Sequence, residues 1–84
     1  MKNDNESNID KNKIDDAALA LLYLTLHINS GEVRAWKGMD WEVLDRLYEK
    51  GYIYNPKGKA KSVVVTDEGE KKSEELYNKL FSND

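Results

Sequence analysis

Between Ala17 and Leu26 every residue except Thr25 is apolar. These alanines and leucines are strong helix formers, yet they do not make a single stripe. On a helix Leu19, Leu22 and Leu26 share one face, while Leu21, Leu24 and Ile28 share another. A helix that is apolar nearly all round must be covered on more than one side. With 84 residues the chain is one domain at most, and a domain of this size buries only about 60% of its unfolded surface. The second face is therefore expected to be covered by another copy of the chain, in a homodimer. The helix is expected to start at Asp15 or Asp16, either of which can cap its free amides, and to end at Gly31. The run is about half of the roughly 20 residues that a membrane span requires, so no membrane partner is expected.

Ahead of this helix, residues 1–13 hold four asparagines and equal numbers of acids and bases. They offer nothing that offsets the entropy of ordering and read as a disordered tail. After it, Gly31 and Gly38 bracket Glu32 to Lys37, too short for two helical turns; this piece reads as a short helix, or as a strand over Val33 to Trp36. Asp40 then caps a helix from Trp41 to Lys50, ended by Gly51, with Val43, Leu44, Leu47 and Tyr48 as its apolar stripe. Beyond Gly51 the apolar period changes from 3.6 to 2, giving two strands, Gly51 to Asn55 and Ala60 to Thr66, joined by the turn Asn55-Pro-Lys-Gly58. The last helix starts after Thr66 or Asp67. Asp67 and Glu70 match a capping box, and Ser73, Leu76, Tyr77, Leu80 and Phe81 form its stripe.

Helix, short element, helix, two-stranded wing, C-terminal helix is an order that resembles a winged-helix domain. Leu44-Asp-Arg-Leu-Tyr-Glu-Lys-Gly-Tyr-Ile53 is similar to the end of a second helix-turn-helix helix running into its wing. Val64-Val-Thr-Asp-Glu-Gly69 is similar to the strand-to-helix junction of regulators of the MarR and PadR type. A helix-turn-helix also places a full helix ahead of the recognition helix; here only Glu32 to Lys37 is available for it. The string Leu19-Ala-Leu-Leu-Tyr-Leu-Thr-Leu-His27, with Ala35-Trp-Lys-Gly38, Asp40-Trp41 and Lys59-Ala-Lys-Ser-Val63, also resembles a small bacterial domain family of unknown function. The fold class expected is mainly α with a β-hairpin, winged-helix-like, over residues 14–82.

The charges are unevenly placed. Residues 50–66 hold Lys50, Lys57, Lys59 and Lys61 and no acid, whereas the whole chain has a net charge of −3. In an extended strand Lys57, Lys59 and Lys61 project to one side. If Ile53 faces the core, Tyr52 and Tyr54 both face outward. Rings beside lysines can stack on bases or lie along a phosphate backbone, so these five residues are the candidate nucleic-acid contacts. The plainer reading is solubility, since charge on an edge strand also blocks aggregation. The exposed side of the Trp41–Lys50 helix holds Glu42, Asp45 and Glu49 against Arg46 and Lys50. Phosphates repel such a face, so double-stranded DNA is expected to be gripped through the hairpin by its backbone rather than read through this helix. An acidic helix also suits the alternative function, a protein–protein interaction module. Leu21, Leu24, Ile28, Trp36, Leu80 and Phe81 are the candidate interface. Trp36 and Trp41 are expected to pack the core under the short element, with an exposed aromatic anchor as the other reading.

Catalysis finds no footing. The chain has no cysteine and one histidine, and His27 has neither a second His nor a Cys to share a metal with. It is expected to sit near the C-terminal end of the first helix, as a packing or capping group. Asp15 with Asp16, and Glu74 with Glu75, read as solvated helix residues. No Gly-rich phosphate loop is present. No cofactor, no metal and no enzymatic activity are expected, and the absence of cysteine suits a cytoplasmic protein.

Overall fold

A computed structural model describes residues 9–83; of the tail expected over residues 1–13, residues 1–8 lie outside them, while Lys11 to Lys13 belong to the first turn of a helix. The described residues form three helices and a three-stranded antiparallel sheet, an α+β arrangement. Helix α1 spans Lys11–Leu22 and continues as a 3-10 turn over Tyr23–Thr25. Strands β1 (His27–Asn29) and β2 (Glu32–Trp36) follow. Helix α2 spans Trp41–Glu49, strand β3 Ser62–Val64 and helix α3 Asp67–Phe81.

The first helix departs from expectation at both ends. It begins a turn early, because the Asp10 side chain accepts a hydrogen bond from the Lys13 amide and caps it. Asp15 is therefore an interior helix residue and not the cap. It also stops well short of Gly31. The Thr25 hydroxyl donates to the Leu22 carbonyl and accepts from the Trp36 amide, so a side chain takes over where the helical ladder would have continued. His27 accordingly lies on a strand and not at a helix end. Ser30 (φ 56°) and Gly31 (φ 81°) are both left-handed, as a tight hairpin turn between right-twisted strands demands. Gly31 closes this hairpin rather than the helix, and Glu32 to Trp36 is the strand alternative.

The expected wing is largely absent. β3 pairs with β2, Ala35 opposite Val63 and Trp36 opposite Ser62. Of the expected Gly51–Asn55 partner strand, one bridge remains, Ile53 opposite Val65, with the Tyr54 amide on the Val64 carbonyl and the Thr66 amide on the Tyr52 carbonyl. The sheet order is β1-β2-β3.

One core joins the elements. Leu19 and Leu22 of α1 meet Leu44 and Leu47 of α2, Ala35 and Val63 of the sheet, Ile53, Val65 and Leu76 of α3. Of the two apolar faces of the first segment, Leu19 and Leu22 are buried, whereas Leu21, Leu24 and Ile28 stay exposed. Thr66 caps α3 through the Gly69 amide, which moves the cap one residue ahead of the expected Asp67–Glu70 box. Gly69 presses on the chain before β3: a Cβ there would collide with the Tyr52 carbonyl. That contact and the Thr66 hydroxyl, which donates to the Gly51 carbonyl, lock the start of α3 to the end of α2.

Candidate functional site

The lysine-rich segment is a loop, not a strand. Asn55 Oδ1 accepts from the Lys57 amide at 3.0 Å, an Asx turn. Pro56 is fully buried and Gly58 has φ 135°. From β2's end Lys37 reaches in, its Nζ 2.7 Å from the Pro56 carbonyl and 3.1 Å from that of Gly58, and 5.7 Å from the Trp41 ring centre. Its charge serves the loop's shape. Lys57, Lys59 and Lys61 are all exposed, and among the described residues none of them makes an ion pair. The strand alternation that would have aligned them does not exist, because regular pairing begins only at Ser62. The two tyrosines divide: Tyr54 is exposed, whereas Tyr52 is half-buried against the core.

Lysines of the same segment can thus differ in role. Lys50 Nζ lies 2.9 Å from Asp15 Oδ2 and 3.0 Å from Asn12 Oδ1. Arg46 joins it, Nη2 2.8 Å from Asp15 Oδ1. Asp15 is only 1% exposed, so the pair expected to be solvated contains a buried carboxylate. Burial pushes its pKa up, but hydrogen bonds and charge from Arg46 and Lys50 outweigh burial and hold it below the ordinary range. Arg46 and Lys50 are turned toward α1, leaving Glu42, Asp45 and Glu49 on α2's exposed side.

The sheet has one free face. Ala35 and Val63 point into the core; Arg34, Trp36 and Ser62 alternate onto the other side. There Arg34 is fully engaged, Nε 2.7 Å from Ser62 Oγ and Nη1 2.8 Å from Glu32 Oε1. Next to it a groove of about 400 Å³ is lined by Thr25, His27, Trp36, Lys61 and Ser62. His27 Nδ1 lies 2.9 Å from the Thr25 carbonyl; a carbonyl only accepts, so Nδ1 carries the hydrogen. Trp36 and Trp41 are each 53% exposed, contrary to the expected core packing: β2 is a strand, and its alternation turns Trp36 outward after buried Ala35.

The remaining interface candidates are also on the surface. Leu24, Ile28, Leu80 and Phe81 are exposed at 62%, 76%, 47% and 47%. Tyr23 packs at a tilt against Tyr77, ring centres 5.0 Å apart, and Tyr77 meets Phe81 edge-on at 5.6 Å, which joins the end of α1 to the last turns of α3. Among the described residues no cluster of metal-ligating side chains occurs, and no helix is long and apolar enough to cross a membrane.

A family model described as "Domain of unknown function (DUF6429)" matches residues 10–83. The uncharacterized protein y4hR of Sinorhizobium fredii is 58% identical over 74 residues, covering 88% of this chain and 96% of that protein. No solved structure matches.

Proposed function

We propose a nucleic-acid role for this chain, which belongs to the DUF6429 family of small bacterial domains: it grips backbone phosphates through Lys57, Lys59 and Lys61. The observation that carries this reading is the sorting of cations around one loop. Lys37 and Lys50 are committed to structure, whereas the three loop lysines stand free on a backbone fixed by Lys37, Asn55 and Pro56. A shaped loop with free ammonium groups meets a polyanion at lower entropic cost than a floppy one. Tyr54 adds an exposed ring beside it. The order of α2, an extended segment bridged at Ile53, β3 and then α3 is in keeping with a winged-helix plan and lends support to the reading. The position ahead of α2 is filled by strand β2, and α2 shows an acidic face. The reading therefore assigns phosphate contact to this domain and no readout of base sequence through α2.

Three phosphate contacts give a salt slope of about −3. The test is fluorescence anisotropy of a labelled mixed-sequence duplex at about 50 and 200 mM salt. Micromolar binding that collapses at the higher salt, and is lost when Lys57, Lys59 and Lys61 are changed to Gln, supports the reading. Unchanged affinity in the triple variant overturns it.

A second reading, a homodimeric interaction module, is favoured by Leu21, Leu24, Leu80 and Phe81. They are exposed on α1 with its 3-10 continuation and on α3, the segments that the Tyr23–Tyr77–Phe81 contacts link, and a contiguous exposed apolar patch is a mark of an interaction surface.

A further inference from the structure

The outer face of the sheet offers a feature that phosphate contact alone leaves unused. Trp36 ends β2 with its indole half-exposed. The ring lies beside Gly38, so close that a Cβ there would overlap it, and the Trp36 backbone amide donates to the Thr25 hydroxyl at 2.9 Å. Its Cα partner across the ladder is Ser62, and the next residue toward the loop is Lys61, whose carbonyl accepts from the Lys37 amide at 3.1 Å. Trp36, Lys61, Ser62 and His27 line the same groove. The acid nearest along the strand, Glu32, is paired with Arg34, so the groove's free charge is that of Lys61, continued by Lys59 and Lys57.

We propose that this groove binds an unpaired nucleobase stacked on the Trp36 indole, with the adjoining phosphate held by Lys61. The ligand class is single-stranded nucleic acid. This rests on the phosphate-gripping reading above and adds the base to it. The half-exposed indole beside Gly38 offers a ring surface to the groove, and every base has a π-face for it. The groove opens at a strand end, where a loose strand can splay a base inward. In a duplex the bases are stacked on one another and cannot reach the ring.

The experiment uses the full chain with Trp41→Phe, so that emission reports Trp36 alone. It is titrated with a fluorescently labelled thymidylate oligomer, an abasic strand of the same length, and a duplex. Indole quenching and anisotropy are both read. The expected result is saturable quenching by the thymidylate strand and none by the abasic strand or the duplex. Binding of the abasic strand should be roughly tenfold weaker, as should thymidylate binding by Trp36→Leu. Gly38→Ala displaces the ring while sparing the lysines, and should lower thymidylate affinity without changing abasic affinity. If abasic and thymidylate strands bind alike and the indole is not quenched, the base platform is wrong and the phosphate reading stands. If no strand binds at about 50 mM salt, both fall.

Discussion

Arg46 lays its guanidinium along the Asp15 carboxylate, Nη2 2.8 Å from Oδ1 and Nε 2.9 Å from each oxygen, and so joins two helices whose contacting residues lie far apart in sequence. Lys50 closes the same carboxylate from one turn further on. Removing one member of a buried ion pair leaves the other uncompensated. Asp15→Asn should cost about 3 kcal/mol, the low end for such pairs because both cations still reach water. Urea denaturation at pH 7 measures it; a change within about 0.5 kcal/mol would mean that the pair is neutral.

The same carboxylate sets an acid limit. Its pKa is lower in the folded chain than in the unfolded one, so the unfolded chain takes up the proton first as pH falls. Stability from this group is whole above about pH 4 and is lost as pH drops through the folded pKa. Asp15→Asn should flatten the fall that sets in below about pH 4, measured by thermal unfolding on the acid side of that point.

Gly69→Ala should destabilise the domain although alanine is the better helix former. The added methyl meets the Tyr52 carbonyl, which is backbone and yields only by shifting α3. A loss of about 1–3 kcal/mol is expected. A Tm equal to or above the parent would show that the junction has slack.

Lys37→Met keeps the stem of the side chain and removes the ammonium that ties the Pro56 and Gly58 carbonyls. Amides over residues 55–61 should exchange with solvent faster, while those of α1 and α3 keep their protection. Unchanged exchange in the loop would show that Asn55 and Pro56 suffice to shape it.

Leu24→Lys with Phe81→Lys should leave the circular dichroism spectrum unaltered, because both residues are exposed. If the homodimer reading holds, sedimentation velocity at tens of micromolar should show the parent as a dimer and this variant as a monomer. A monomeric parent removes that reading.

Much of α2 and α3 was legible in the sequence. Asp40 and Gly51 bracket one stripe, although the Asp40 side chain, expected to cap α2, makes no capping bond, and Thr66 precedes the other. The β1–β2 hairpin was not. Its first strand continues a leucine-rich helical run without a break, and only Thr25, β-branched Ile28 and the Ser30-Gly31 pair mark the change. A two-residue turn ending in glycine is a signal that could have located it. Asp15 was misread because its partners are on another helix, and nothing local distinguishes a buried carboxylate from a solvated one. The lysine cluster was legible as composition, while its conformation depends on Lys37, whose reach across the chain no pattern encodes. Trp36 was turned outward by the strand that the sequence left open as one of two choices.

The order in which strands meet bears on how fast this chain folds. β1 finds β2 through the Ser30–Gly31 turn, a local event on the microsecond scale. β3 reaches β2 only after α2 and the whole lysine loop have been drawn in, and Ala35 opposite Val63 is the contact that closes that circuit. Loop-closure entropy falls on this step. Because closure cost grows only slowly with length, trimming a few residues from the segment that carries the free lysines should change the refolding rate by less than about twofold.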